Sequence, residues 1–413
     1  MRILSGRNAA AAVERLASRG TQLTKLEPKI RSIIRDVRRA GDRALRRYAT
    51  RWDGFAANQS LQVPEAEMSA AWDDLSPTVR KSLRQAAQNI RRFCEWQKPR
   101  SWTRTRHGSA LGQLVVPLDS VGCYVPGGRY PLVSTLLMTV IPAQVAGVKN
   151  IRVVSPKPSP EILAAASMLS VREFYRVGGA QAIAALAYGT NTILRVDKIV
   201  GPGNAYVTVA KKLVAFDCSI DFLAGPTEAL VLSESGAPDF IAADLVSQAE
   251  HDPDALAIFI TTSRSLAQSV ASNMADRARS NATARDSLKR RGTILLAPSR
   301  AQARAWANQL APEHITVERE DLPFIRNAGS IFVGDYSPQA AGDYASGPNH
   351  VLPTSGQARF RGGLSVMDFV KLITVQELSR DGLRIIGKTV ERLATIEGLE
   401  AHAESVRVRQ AHA

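Results

Sequence analysis

The sequence predicts two consecutive, incomplete doubly wound (Rossmann-like) α/β units, with a helical N-terminal segment before them and a small C-terminal helical tail after them. Three observations support this. Between residues 121 and 333, short apolar runs alternate with helical patterns, which is the mark of a parallel sheet covered by helices on both faces. Glycine pairs or Gly-Pro-Gly turns follow several of the apolar runs, where a βα turn tightens. The chain has 413 residues, 45% hydrophobic and 22% charged. That is enough for more than one core, in proportions usual for a globular protein.

Residues 1–119 read as mostly helical and are expected to pack on the second unit. Glu27 to Trp52 and Pro77 to Trp96 both carry apolar residues at three- and four-residue spacing. The first unit spans 120–226. Its predicted strands are Val121–Pro126, Ile151–Ser155, Phe174–Gly178, Val196–Val200 and Ile220–Leu223. Its predicted helices are Ser134–Gly147, Pro160–Ser170, Ala180–Tyr188 and Tyr206–Phe216. The second unit spans 227–363 and begins near Gly225. Strands are predicted at Ala229–Leu232, Ala257–Thr261, Thr293–Leu296, Ile315–Val317 and Ile331–Val333, with helices at 238–251, 264–279 and 299–310. Ligands of such sheets are expected at the carboxyl ends of the strands and in the cleft between the units. The tail, 364–413, has its own amphipathic period from Leu383 to Arg409 and is too small to stand alone. It is expected to pack on another unit or on a partner subunit.

The net charge is +15, and residues 1–110 hold 23 Lys and Arg against 10 Asp and Glu. Arg31, Arg35, Arg38, Arg39, Arg43, Arg46 and Arg47 recur among Ile33, Ile34, Val37 and Leu45. This is the pattern of a solvated basic face on an amphipathic helix. A polyanion surface is the competing reading, but no nucleic-acid motif accompanies the charge. No apolar run reaches transmembrane length, and the first residues lack the apolar core of a signal peptide. Three scattered cysteines, Cys94, Cys123 and Cys218, form neither a C-x-x-C pair nor a disulfide framework. Together these features suit a cytoplasmic protein.

Four of the six histidines lie in short polar motifs. In Asp244-Leu-Val-Ser-Gln-Ala-Glu-His251, Gln248 and His251 are three apart and would share one helix face, a workable spacing for two ligands of a divalent metal. Glu313-His314 precedes a predicted strand and pairs a carboxylate with the usual proton-transfer side chain. Gly342-Asp343 to His350 is a non-periodic loop with an acid, two glycines and a histidine, where Asp343 could serve a metal and His350 a substrate. Glu397 to His402 on the tail reads, by itself, as a solvated helix face. Gly127-Gly128, Gly178-Gly179 and Gly201-Pro-Gly203-Asn204 follow predicted strands and outline a cofactor crevice, although none is a G-x-G-x-x-G fingerprint.

Taken together, Ala224-Gly-Pro-Thr-Glu228, Asp244 to His251, Ala311-Pro-Glu-His314, Gly342 to Thr354 and Gly398-Leu-Glu-Ala-His402 resemble the histidinol dehydrogenase family closely. The resemblance runs from about residue 25 to the C-terminus. It implies a homodimeric enzyme of L-histidine biosynthesis that oxidises L-histidinol through a bound aldehyde with two NAD+. It further implies one Zn2+ per subunit, held by Gln248, His251, Asp343 and His402, with His402 coming from the partner subunit. This zinc would grip the substrate's imidazole and amino groups. His314 would be the base for both hydride steps, and Glu313 would activate the water. Thr227, His350 and Glu397 would contact substrate, and Tyr124, Gln181 and Asn204 would line the NAD crevice. Position 227 is Thr where the family usually has Ser, which keeps the hydroxyl.

Three other readings compete. A related dehydrogenase of another primary alcohol, such as sulfopropanediol, would not need Glu397 and His402 to face an imidazole-amine substrate. A polyanion-binding protein would leave the Glu313-His314 and Asp343–His350 motifs unexplained. A purely structural zinc site would be expected to use cysteine.

Overall fold

The computed structural model describes residues 2–20, 23–56, 59–127 and 131–411. The chain opens with strand β1 (Arg2–Ser5) and a helix, Gly6–Ala17. Helices Glu27–Asp53, Glu65–Asp74 and Pro77–Gln97 follow, then a hairpin of β2 (Trp102–Arg106) and β3 (Ser109–Pro117). The first parallel sheet is built from β4 (Ser120–Tyr124), β5 (Asn150–Val154), β6 (Glu173–Tyr175), β7 (Lys198–Val200) and β8 (Ser219–Ile220). The second uses β9 (Glu228–Leu232), β10 (Leu256–Thr261), β11 (Thr293–Leu296), β12 (His314–Val317) and β13 (Ser330–Val333). The last strand, β14 (Val370–Leu378), precedes helices Arg380–Ile396 and Glu400–Ala411.

Both sheets have the same topology. The first runs β6-β5-β4-β7-β8, and the second runs β11-β10-β9-β12-β13 with β1 added beside β11. In each, the opening strand is central, two strands extend to one side, and the chain then crosses back to the other. This reversal makes a switch point between β4 and β7 in one sheet and between β9 and β12 in the other.

Burial on both faces explains why these strands read as continuous apolar runs. In β10, Ile258 and Ile260 belong to one core and Ala257 and Phe259 to the core on the opposite face. In β4, Val121 and Cys123 face one core and Tyr124 the other. Burying a side chain the size of Phe259 contributes about 3 kcal/mol, so two-sided sheets concentrate stability in few residues. Helix Val133–Ala146 stops at Gly147, which takes the left-handed conformation at φ 99 that ends many helices.

Several elements differ from the sequence expectation. The segments 102–117 and 370–378 form an antiparallel sheet, β14-β3-β2, so the C-terminal tail begins with a nine-residue strand and is not wholly helical. A further helix occupies Ala282–Arg291. The N-terminal region divides between the units. Residues 2–17 join the second sheet through β1. Helix Glu27–Asp53 packs on helices Gly179–Tyr188 and Ala205–Val214 of the first unit, and helices Glu65–Asp74 and Pro77–Gln97 pack on helices Pro160–Met168 and Val133–Ala146. The apolar stripe Ile30, Ile33, Ile34, Val37 and Leu45 drives this, since it completes the core behind Ala182 and Ile183. Among the described residues, no helix is long and apolar enough to cross a membrane.

Candidate active site

The candidate acid-base residues stand at the amino ends of the second sheet's strands, whereas the carboxyl ends were expected. Thr227 and Glu228 lead into β9, and Glu313 and His314 lead into β12. These two strands are hydrogen-bonded neighbours, with His314 opposite Ala229, so the switch point brings the two motifs together. Helix Pro238–Ala249 runs back from the far end of β9 and delivers Gln248 to the same edge. The helix stops at Ala249, so His251 projects from the following turn and not from the helical face it was expected to share; its amide donates to the Gln248 carbonyl at 3.3 Å.

His314 is the centre of the cluster. Its ring is buried, with Nε2 at 3.4 Å from Asp343 Oδ1 and Nδ1 at 3.7 Å from Glu313 Oε2. Neither ring nitrogen makes a hydrogen bond, and Phe332 lies beside the ring at 6.0 Å between centroids. Burial pushes the imidazole pKa down, but the Glu313 and Asp343 carboxylates outweigh it and hold it above the ordinary value. Burial raises Glu313 to about 7, against the opposing pull of His314. Asp343 is mostly enclosed, yet the close approach of the His314 ring and the charges of His314, His350 and His251 keep it below the usual carboxylate range.

Hydrogen bonds fix the surrounding groups. Glu313 Oε2 lies 2.8 Å from Thr227 Oγ1 and accepts from the Glu228 amide at 2.9 Å. His350 Nδ1 lies 2.7 Å from the Asp343 carbonyl, so that nitrogen carries the proton. Its Nε2 is left 3.5 Å from Thr135 Oγ1, on the first unit. Asn349 also reaches across, donating to the Met138 carbonyl at 2.6 Å. His314 and His350 line a cavity of about 570 Å³. His251 and Tyr344 line another of about 560 Å³ against Leu132 and Val133 of the first unit.

Two of the four proposed metal donors touch: Gln248 Nε2 donates to Asp343 Oδ2 at 3.0 Å. Thr227 Oγ1 also lies 3.1 Å from Gln248 Oε1. The hydroxyl has one hydrogen and two acceptor oxygens before it. A half-turn of the carboxamide would let its nitrogen donate to Thr227 and would face its oxygen toward Asp343. Two oxygens so apposed, with an imidazole one turn away, suit a divalent cation that accepts mixed N and O donors. Among the described residues no group of three or more His, Cys, Asp or Glu stands ready for a metal, because Gln248 is a carboxamide and His402 is elsewhere. His402 lies exposed on helix Glu400–Ala411 and Glu397 in the turn before it, and among the described residues no hydrogen bond or ion pair joins either side chain to the cluster.

The glycine turns behave differently from one another. Tyr124, at the end of β4, is buried, and its hydroxyl accepts from the Gly179 amide at 3.0 Å, where helix Gly179–Tyr188 begins. Gln181 is buried with Oε1 unpartnered. Asn204 is exposed and uses its side-chain oxygen to cap helix Ala205–Val214. Gly201 has φ +111, and a Cβ there would stand 2.2 Å from the Tyr124 carbonyl. Only glycine fits that turn. Gly128 lies outside the described residues. Polar groups and turns at the carboxyl ends of β4, β6 and β7 suit a nucleotide cofactor.

The sequence motifs assign no role to Glu228, Arg19 or Thr135. Glu228 is buried and ion-paired to Arg19; a glutamate leading into an apolar run was the available signal. Arg19 and Thr135 left no local mark, because their partners are remote in sequence.

The histidinol dehydrogenase family model matches residues 16–410. A curated histidinol dehydrogenase from Methanothermobacter thermautotrophicus is 49% identical over 395 residues, covering 92% of each chain. Another from Aquifex aeolicus is 44% identical over 96% of each. A crystal structure of histidinol dehydrogenase from Elizabethkingia anophelis superposes with a TM-score of 0.95 at 35% identity, over 100% of this chain and 98% of that one.

Proposed function

This chain belongs to the histidinol dehydrogenase family, and from that premise we propose that it oxidises L-histidinol to L-histidine in two steps, through a bound aldehyde. The observation that carries the proposal is His314, a buried imidazole with both nitrogens free of hydrogen bonds, set between two carboxylates on the wall of a cavity. Hydride departure from a carbinol carbon requires removal of the hydroxyl proton, and an imidazole held above its ordinary pKa can take that proton near neutral pH. His314 would serve again when the aldehyde hydrate loses its second hydride. Glu313, raised to about 7, can accept a proton from the water that attacks the aldehyde. Thr227 and the Glu228 amide keep its acceptor oxygen in place.

NAD+ supplies the hydride acceptor, and Tyr124, Gln181 and Asn204 would line its crevice. Zn2+, when bound, would supply a Lewis acid for the substrate's imidazole and amino nitrogens. Gln248, His251 and Asp343 would hold it from one chain and His402 from a second copy. Thr227, His350 and Glu397 would contact substrate. Keeping the aldehyde bound saves it from side reactions and holds it oriented for the second step.

The exposed tail supports a homodimer with shared sites. Ile385, Leu393, Ile396 and Leu399 are exposed beside Glu397 and His402, and such a patch is what a second copy would cover.

Replacing His314 by Ala should abolish NADH formation from L-histidinol while circular dichroism and the melting temperature stay near wild type. Wild-type turnover in that variant would remove the basis of the proposal.

A further inference from the structure

We infer that Arg19 is a positioning residue for the reaction: it holds the backbone that carries Thr227, Glu313 and His314. The inference rests on the roles just proposed for Glu313 and His314.

Arg19 follows helix Gly6–Ala17, outside the two sheet switch points, and is 291 residues from Leu310 in sequence. Its side chain is nonetheless largely enclosed, with an exposure of 16% against 5% for its partner Glu228. Nε and Nη2 each donate to a Glu228 carboxylate oxygen at 2.5 Å. Nη1 donates to the carbonyls of Leu16 and Leu310, both at 2.8 Å, and Nη2 lies 3.4 Å from the Ala311 carbonyl. Glu228 Oε1 also accepts from the Ser355 amide at 2.9 Å. The Arg19–Glu228 pair therefore joins the ends of three segments: 224–228 with Thr227, 310–314 with Glu313 and His314, and, through Glu228, 343–355 with Asp343 and His350.

The contacts bear directly on the reacting groups. The amide of Glu228, whose carboxylate Arg19 holds, donates to Glu313 Oε2 at 2.9 Å. Helix Arg300–Leu310 ends at Ala311, which has φ 46. The left-handed region is strained for alanine, and this bend aims Pro312-Glu313-His314 at the cluster. Arg19 caps the last carbonyls of that helix, where unsatisfied acceptors and the helix dipole both favour a cation. Lysine cannot reproduce the contact, because it is a point charge without the planar fork that spans Glu228 and two carbonyls. A displacement of about 1 Å at a reacting group can cost about 100-fold in rate.

The test is steady-state kinetics of full-length, zinc-loaded Arg19→Lys and Arg19→Ala beside wild type, with L-histidinol and NAD+, melting temperatures, and added guanidinium. The expected result is a kcat lower by about 100-fold with KM for both substrates near wild type. Guanidinium should restore part of kcat in Arg19→Ala and none in wild type. Wild-type kcat in Arg19→Lys, or a loss that tracks the fraction unfolded and resists guanidinium, would overturn the inference. A wild-type enzyme that forms no NADH from L-histidinol would instead take down the functional reading itself, and this inference with it.

Discussion

Replacing Glu313 by Gln removes a proton acceptor while leaving the surrounding hydrogen bonds available. Glu313 Oε2 accepts from Thr227 and from the Glu228 amide at 2.8 and 2.9 Å, and a carboxamide oxygen can accept both. If Glu313 activates the water that attacks the aldehyde, E313Q loses a general base in the second half-reaction alone. Such a base contributes about 100- to 10,000-fold, or about 3–5 kcal/mol of barrier. The first hydride step, which uses His314, should persist. NADH formed per L-histidinol should therefore fall from two toward one, with the aldehyde recovered by a carbonyl trap. Two NADH per substrate at the wild-type rate would refute the role. The same substitution has a stability signature. Burial raises the Glu313 pKa to about 7 from an ordinary 4.5. An acid with a raised folded pKa costs stability when charged, so the penalty is absent below the unfolded value, grows between the two, and is full above the folded value. E313Q escapes it and should be more stable than wild type by at most about 3 kcal/mol at about pH 8, with little difference near about pH 4. Equal melting curves at both pH values would contradict the burial argument.

Mixing His314→Ala with His402→Ala should restore part of the activity that each variant lacks, because one site of the mixed dimer then has both groups; no recovery would argue for a site built within one chain. Gly201→Ala should destabilise the fold by about 1–3 kcal/mol and raise KM for NAD+, since its Cβ would meet the Tyr124 carbonyl at 2.2 Å; an unchanged melting temperature would show that the turn can shift. Asp321 is buried and accepts from Arg300 Nε at 2.8 Å and Arg304 Nε at 2.7 Å. Burial raises its pKa, but those bonds outweigh it and hold the pKa below the usual range. Asp321→Asn should cost about 2 kcal/mol, less than a fully buried pair because both arginines are partly exposed. A depressed acid stabilises above its unfolded pKa, so the loss should be full above about pH 4 and fade as pH falls through the lower folded value. A pH-independent difference in melting temperature would contradict the pairing.

The parallel strands were legible because both faces are buried, and runs such as Leu256–Thr261 have no polar alternation to confuse them. β14 is exposed along almost its whole length and pairs with β3, more than 250 residues earlier; its pattern is neither a buried run nor a helical stripe. β1 offers only Ile3 and Leu4 and is stabilised by pairing with β11. The polar motifs were visible as motifs, and Glu313-His314 could be seen to precede a strand. The edge of the sheet on which they meet follows from helix Pro238–Ala249 running back along β9, which depends on packing. Arg19 was hidden among many arginines of the basic first quarter. Its burial against Glu228, and not its residue type, separates it from Arg31 and Arg39, which lie on the solvated face.

A four-electron oxidation in a site that needs a metal can be read by counting NADH per L-histidinol consumed by the wild-type protein, before chelation, after it, and after zinc is returned. Two NADH per substrate, lost on chelation and restored by zinc, is the expected result. No NADH from zinc-loaded protein would contradict the assignment of substrate and mechanism together.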